Sequence, residues 1–397
     1  MRKRVKDDFP SRSSVLSRLF EKWRAPLRTE RVGTEDAIGR VLAADVFSLC
    51  DHPVFRASRM DGVALKSESF RDGVPDASAW TPGRDYARAD TGDDFDDAFD
   101  AVVAVEDVEF LAGGGLRFHP ETGPVTKGMN VAGKGEKIRL GMRLVERGTR
   151  LLAVDLAAIA MGAVSEIEVY RKPTVVFIAT GSELVPLGHI PERGQTVNSN
   201  SLLAKHILGE MGAEVILHPI VRDDHNLLAA ALDEALGRAD VVVLGAGTSK
   251  GAEDWSHALL AERGELICHG VASAPGKPLA MALVDGKPVI NVAGPPIACF
   301  YGMDWCARAV LNAFFDLPVP KRHTVKARLA EEIHSGPNFE LFVRIRLEKT
   351  EDGYIAHPLS HFAGTPVDAI RSEGLYITKL APEPTEKGDL IEVELMR

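Results

Sequence analysis

The sequence predicts a multidomain chain of mixed α/β and β architecture, and three observations carry the prediction. Between Thr174 and Phe315, short β-branched runs alternate with helical stretches. Before them, short apolar runs from about Cys50 to Gly141 sit between two stretches of helical pattern. After about residue 319 only strand-like runs separated by turn residues remain. The chain has 397 residues, which at roughly 150 per domain suggests two to four domains. Hydrophobic residues at 45% and charged residues at 26% fit a folded protein and argue against a disordered chain. With 47 Lys+Arg against 57 Asp+Glu, the net charge of −10 gives no support to nucleic-acid binding.

The opening MRKRVKDDFP is basic but lacks the apolar stretch of a signal peptide. No apolar run approaches the roughly 18 to 20 residues that span a bilayer, so the expectation is a cytoplasmic protein without a membrane partner. Cys50, Cys268, Cys299 and Cys306 form no CxxC pair, which argues against a disulfide framework or a zinc site. From Ser14 to Ala44 the text reads as helix (SVLSRLFEKW, then TEDAIGRVLAADV), with Thr34 capping and Glu35 and Asp36 at the favourable dipole end. AVVAVEDVEFL, Gly113 to Gly115 and LRFHP read as a hairpin inside a β-rich module. Helical pattern returns from Leu144 to Ala163. A β module over 50–141 is therefore inserted into an elongated helical part made of 11–49 and 142–171.

Thr174–Ala179, Val215–Ile220 and Val241–Leu244 read as buried strands, with SLLAKHILGEMG and NLLAAALDEALGR as helices between them. That alternation predicts a parallel sheet covered on both faces, a three-layer α/β domain. A strand at Pro288–Val292 and a helix over Ile297–Phe315 complete it within 172–318. FELFVRIRLEK, GYIAHPL, GLYITKL and DLIEVELM form a small all-β module over 319–397.

The sharpest local feature is Gly245-Ala-Gly-Thr-Ser-Lys-Gly251, between a strand and a helix at about Asp254 to Glu262. Such a turn offers backbone N–H groups backed by the helix dipole and suits phosphate or another anion. It fits neither a Walker A loop nor GxGxxG. Two other readings stand beside the anion site. One is a plain tight turn. The other is a nucleophile elbow at Ser249, with Asp304 or Asp316 and His323 or His334 completing a triad. Pro275-Gly-Lys-Pro278 fixes where Lys277 points, which suits an oxyanion, although on its own the turn reads first as a surface turn with a solvated lysine. Thr180-Gly-Ser-Glu-Leu184 follows the first parallel strand, where open α/β sheets bind ligands, and Glu183 could hold a ligand N–H or a metal. Met60-Asp61-Gly62 reads as a turn. The six aspartates between Asp90 and Asp100 lack calcium-loop spacing and read as a solvated surface. Cys299 and Cys306 share a helical face and read as core packing.

Taken in order, SRMDG, Thr91-Gly92 with AVV and Glu106, GMNV, TGSEL, Asn198 to Asn200, GAGTSKGAED and PGKP form a series. It resembles the molybdopterin molybdenumtransferase family, which includes MoeA and the gephyrin E domain, over most of the chain. The resemblance implies a molybdopterin-binding α/β domain and a C-terminal β-barrel. It implies a homodimer that takes adenylylated molybdopterin and molybdate, cleaves the adenylate with Mg²⁺, and inserts molybdenum into the dithiolene. Molybdopterin adenylyltransferase is the implied protein partner. Gly247, Thr248, Ser249 and Gly251 would cradle the pterin phosphate beside Thr180 and Gly181. Asp254 would serve adenylate cleavage and hold the metal, with Glu183 as the family's functional glutamate. Asp61 would reach the site from the partner subunit. Lys277 and Pro278 would lie at molybdate, with Arg344 contributed by the barrel.

Five positions depart from the family pattern. Ala274 stands for a lysine, Pro295 for an asparagine, Ala298 for a serine, Ser182 for an acid and Gly245 for a serine. No counterpart of the barrel's serine motif stands out near His361 to Thr365. A lost donor to a desolvated anion is worth about 1.5–3 kcal/mol, so one lysine and one hydroxyl weaken oxyanion binding by about two to four decades. The phosphate side reads as intact and the oxyanion side as altered. Two rivals follow: a non-catalytic molybdopterin-binding carrier, sensor or scaffold, and a serine hydrolase using Ser249.

Overall fold

The computed structural model describes residues 9–245, 252–334, 339–359, 366–380 and 384–396, without the side chains of 252–255 and 368. Contacts divide the chain into two compact units, Met1–Arg28 with Arg171–Arg397, and Thr29–Tyr170.

The first unit begins with α1 (Arg12–Lys22), capped by the Ser11 side chain on the Ser14 N–H, with Val15 and Leu19 buried. β1 (Thr174–Ala179), α2 (Ser199–Glu210), β2 (Glu214–Leu217), α3 (His225–Arg238), β3 (Val241–Gly245) and α4 (Ala252–Arg263) follow as the sequence predicts. Then come β4 (Glu265–His269), β5 (Ala280–Val284) and β6 (Lys287–Val292). Together these strands form one sheet of order β2-β1-β3-β6-β5-β4. The first four are parallel, whereas at the far edge β5 pairs antiparallel with β6 and β4 antiparallel with β5. The antiparallel edge is a departure from the all-parallel expectation.

Side-chain alternation explains the layers. Val175, Phe177, Val241 and Val243 point into a core shared with α1 and α2, while Val176, Ile178, Val242 and Leu244 point into one built with α3 and α4. The helix predicted at Ile297–Phe315 is present as α5 (Pro296–Gly302), a π-helical turn (Met303–Ala307) and α6 (Arg308–Ala313).

Beyond it, β7 (Thr324–Leu329), β8 (Glu340–Thr350), β9 (Gly353–Pro358), β10 (Gly374–Ile377) and β11 (Leu390–Leu395) make the C-terminal module. Their order is β8-β9-β7-β11-β10, and β10 pairs back onto β8, so the module is a closed five-stranded barrel. A short strand, Ser273–Ala274, runs parallel to the start of β8 and ties the PGKP region to the barrel.

In the second unit, Gly62–Leu65 lies between Tyr86–Ala89 and Ala101–Ala104 in an antiparallel sheet. The expected hairpin is present as Val108–Phe110 and Leu116–Phe118. Two helical readings need correction. TEDAIGRVLAADV forms only a 3-10 turn at Thr34–Asp36. There the Thr34 hydroxyl donates to Val164 O instead of capping, Gly39 takes φ +72°, and Val41 and Leu42 bridge to Arg150 and Val169. Tertiary pairing overrides the helical periodicity. Likewise Arg143–Val145 pairs as a strand with Val46–Phe47, so the next helix starts only at Ala153 and runs to Met161. Among the described residues no helix is long and apolar enough to cross a membrane.

Candidate functional site

The parallel strands end in a crevice of the kind that binds ligands in open α/β sheets. Thr180, buried just past β1, donates to Gly245 O from its N–H at 2.9 Å and its hydroxyl at 3.2 Å, locking the ends of β1 and β3 together. Gly181 adopts φ +152°, and a Cβ there would lie 2.8 Å from Glu183 Oε2. The glycine therefore lets the Glu183 carboxylate fold back against the backbone. Ser182, where the family pattern has an acid, exchanges hydrogen bonds with Asp223: the Ser182 N–H donates to Asp223 Oδ2 at 3.0 Å and the Asp223 N–H to Ser182 Oγ at 3.1 Å.

Asp223 is a partner of the TGSEL turn that sequence reading missed. Its signal was a carboxylate two residues beyond Val221, which bridges to Thr180. Asp223 Oδ1 and Asn200 Oδ1 are both buried without a hydrogen-bond partner among the described residues. Asn198 caps α2 through the Ser201 N–H at 3.2 Å, and Asn200 donates to Gly294 O at 2.8 Å. Ala179, Leu184, Asn200, Gly245 and Gly294 line a cavity of about 50 Å³ there. Of the two orphaned acceptors, Asn200 lines this cavity, where a ligand donor would satisfy it.

Gly245 explains its own departure from the family serine. A Cβ on it would come within 2.6 Å of Phe177 Cζ. Gly247, Thr248, Ser249 and Gly251 lie outside the described residues, and of Asp254 only the backbone, in the first turn of α4, is described.

A second group sits where the PGKP turn meets α5 and β8. Lys277 O accepts from the Val271 N–H at 2.9 Å, and Gly276, at φ +116°, has room for a Cβ only 3.9 Å from Ala298 O. Pro278 follows in the same turn. Lys277 is exposed, whereas Arg344 on β8 is 1% exposed. The Arg344 guanidinium hydrogen-bonds Tyr301, whose hydroxyl burial nevertheless pushes up to about 12, so the phenol stays neutral. Arg344, Tyr301, Pro296, Phe300, Ile370 and Met396 line a cavity of about 300 Å³. A buried guanidinium on a largely apolar wall, with Tyr301 and Ser372 beside it, suits an anion. None of the three departures in this part of the chain lines that cavity. Ala298 is buried in the first turn of α5, Pro295 at its N-cap makes no side-chain cap, and Ala274 pairs with Leu341 in the barrel sheet.

The triad alternative loses one of its two candidate acids. Asp304 is buried and ion-paired to both Arg308 and Arg322, so it has no role to spare for orienting a histidine. Cys299 and Cys306 are core residues as expected.

In the other unit, the structure joins motifs that the sequence shows only in series. Asp61 Oδ1 accepts from the Thr91 N–H at 2.7 Å and its hydroxyl at 2.8 Å. These bonds hold the Asp61 carboxyl below the usual aspartate range. Gly92 N–H donates to Ser58 O at 2.9 Å, Arg59 N–H to Asn130 O at 2.9 Å, and Asn130 Nδ2 to Val102 O at 2.9 Å. SRMDG, Thr91-Gly92 and GMNV thus surround one exposed aspartate. Among the described residues no three His, Cys, Asp or Glu side chains converge on a metal-sized gap.

The architecture and the crevice define an α/β ligand-binding type of protein, and the comparisons give its class. Residues 176–313 match the family described as "Probable molybdopterin binding domain", and residues 11–162 match the "MoeA N-terminal region (domain I and II)". The chain belongs to the MoeA family, which places it in molybdenum cofactor biosynthesis. It is similar to a crystal structure of the molybdopterin biosynthesis MoeA protein from Pyrococcus horikoshii, with TM-score 0.77 and 27% identity over 98% of this chain and 99% of that one. The molybdopterin molybdenumtransferase of Staphylococcus epidermidis is 26% identical over 349 residues, 82% of this chain and 81% of its own. That of Haemophilus influenzae is 28% identical over 294 residues, 71% of this chain and 72% of its own.

Proposed function

We propose that the chain is a molybdopterin molybdenumtransferase: it binds adenylylated molybdopterin in the α/β crevice, cleaves the adenylate and inserts molybdenum from molybdate into the dithiolene. The observation that carries this reading is the crevice itself, with Thr180 and Gly181 fixing the strand ends and an unpaired buried acceptor on Asn200 in its lining. Gly247, Thr248, Ser249 and Gly251 take the pterin phosphate at the mouth of α4. Asp254 and Glu183 serve adenylate cleavage, in which water attacks the adenylyl phosphorus, the anhydride P–O bond breaks, and AMP leaves. Asp61 serves the site of a second copy in a homodimer. Lys277 and Arg344 draw in the molybdate dianion, with Pro278 stiffening the turn between them and the crevice. As the two dithiolene thiols bind molybdenum, their two protons leave with one molybdate oxygen as water, with no change in the oxidation state of the metal.

Mg²⁺ is the metal the family resemblance implies. No described cluster fits it and the Asp254 side chain is not described, so no step here is routed through it. Molybdopterin adenylyltransferase is the natural supplier of the adenylate.

The test is incubation of the full chain with adenylylated molybdopterin, Mg²⁺ and molybdate. AMP release with molybdenum retained on the pterin is expected. Binding without AMP release overturns the enzymatic reading in favour of a carrier or scaffold. Fluorophosphonate labelling that disappears in Ser249→Ala would overturn it in favour of a hydrolase.

A further inference from the structure

Lys277 is exposed but its ammonium group is seated between two rings. Nζ lies 4.4 Å from the centroid of Phe9 and 5.8 Å from that of Phe339. Both distances are within the roughly 6 Å over which a ring face attracts a cation. The ring centroids are 6.2 Å apart and tilted at 42°. The two phenylalanines come from distant parts of the sequence, one just before α1 and the other just before β8.

Both are anchored through the same residue. Pro10 O accepts from the Ala272 N–H at 2.9 Å, and Ala272 O accepts from the Glu340 N–H at 2.9 Å. The Phe9 ring rests on Gly270, where φ is +84° and a Cβ would lie 2.4 Å from Phe9 Cε1. The PGKP turn is tied into the same scaffold: Val271 N–H donates to Lys277 O at 2.9 Å and Gly270 N–H to Leu279 O at 2.8 Å. Arg12 ties α1 to β8 through Glu340 at 2.7 Å. Rings, turn and lysine therefore keep a fixed relation.

We propose that Phe9 and Phe339 are positioning residues for Lys277, a two-ring seat that presents its ammonium to an oxyanion. The inference rests on the proposed reading that Lys277 contacts molybdate. A free lysine stem explores many rotamers and loses that freedom when an anion immobilises it. The seat removes the freedom beforehand. The ring faces satisfy one side of the ammonium and leave N–H donors on the other for an anionic oxygen. With Ala274 and Ala298 in place of the family's lysine and serine, one well-held cation bears more of the recognition.

The test is molybdate binding to the full chain, by calorimetry, for wild type, Phe9→Leu, Phe9→Tyr, Lys277→Met and the Phe9→Leu/Lys277→Met double variant. Leucine keeps apolar bulk and removes the ring face. Phe9→Leu weakens binding about two- to fivefold, Phe9→Tyr keeps wild-type affinity, and Phe9→Leu adds nothing in the Lys277→Met background. Phe339→Leu gives the same pattern and guards against a folding defect peculiar to residue 9, with melting temperatures checked throughout. Equal affinity for Phe9→Leu and wild type overturns the seat, as does an equal loss in the tyrosine variant. If Lys277→Met itself leaves binding unchanged, the reading of Lys277 as an oxyanion ligand has failed, which is distinguishable from failure of the seat alone.

Discussion

The two ends of the candidate site in the α/β unit are built from different materials. At the ends of β1 and β3, backbone groups do most of the holding, through the Thr180–Gly245 pair, the folded-back turn at Gly181 and the start of α4. Where PGKP meets α5 and the barrel, the chemistry depends on side chains: Lys277, Arg344 and their neighbours. The sequence departs from its family at both ends, with unequal consequences. Gly245 in place of serine keeps its amide. Ala298 in place of serine removes a hydroxyl outright, and Ala274 removes a charge. Recognition built from backbone survives substitution wherever the conformation survives, whereas recognition built from side chains is lost donor by donor.

The largest expected effect comes from restoring the side-chain end. Ala274→Lys with Ala298→Ser should tighten molybdate binding by about two to four decades at the most, each donor to the dianion being worth about 1.5–3 kcal/mol. Calorimetric titration with molybdate measures it. No gain would mean that this chain makes its oxyanion contacts elsewhere, and the contrast between the two ends would fall. Next in size is Arg344→Met, which removes the buried guanidinium but keeps length and apolar contact. It should weaken molybdate binding about tenfold to a hundredfold while leaving binding of the adenylylated pterin close to wild type. A parallel loss of both would show that the two ends are one site rather than two.

The third prediction concerns the backbone end. Gly245→Ser restores the family residue but drives a Cβ to within 2.6 Å of Phe177 Cζ. Overpacking of this kind destabilises by about 1–3 kcal/mol, read as a lowered urea midpoint. A second change, Phe177→Leu, opens the space, so the serine should then be tolerated at much smaller loss. If Gly245→Ser is harmless in the wild-type background, the glycine is not there for the ring, and its departure from the family has no steric reason.

Much of this arrangement was legible in the sequence. The alternating runs from Thr174 to Val243 predict a parallel sheet covered on both faces because buried strands and amphipathic helices have distinct periods, whereas the strand order emerges only in the fold. β4 and β5 were not read, since ELICH and AMALV are short and lie in an antiparallel edge without intervening helices. The reading of 34–46 as helix failed because Val41 and Leu42 find strand partners more than 100 residues away, which no local window contains. Within the site, Thr180, Gly181 and Glu183 were legible as the turn after a strand. Asp223 was not, because its tie to Ser182 depends on β1 and the segment at Val221 lying side by side. Phe9 was equally hidden, since nothing in MRKRVKDDFP announces that its ring meets Lys277.

The smallest effect tests whether the same division holds at a single carboxylate. Asp61 takes one hydrogen bond from the Thr91 backbone and one from its hydroxyl, the backbone bond being the larger cause of its lowered pKa. Both favour the ionised form. A carboxyl whose folded-state pKa is depressed contributes stability that is present above the unfolded value and lost as pH falls through the folded one. Thr91→Val deletes only the hydroxyl bond. The Asp61 titration should then move part of the way back toward the ordinary 3.8 and stay below it, because the backbone N–H remains. Any acid-side loss of activity that depends on Asp61 moves upward by the same step, with no change near neutrality. Titration of the Asp61 carboxyl carbon by NMR in both proteins checks this. Full return to the ordinary value would show that the backbone bond contributes nothing once the hydroxyl is gone, and a backbone-built contact would then be no more durable than a side-chain one.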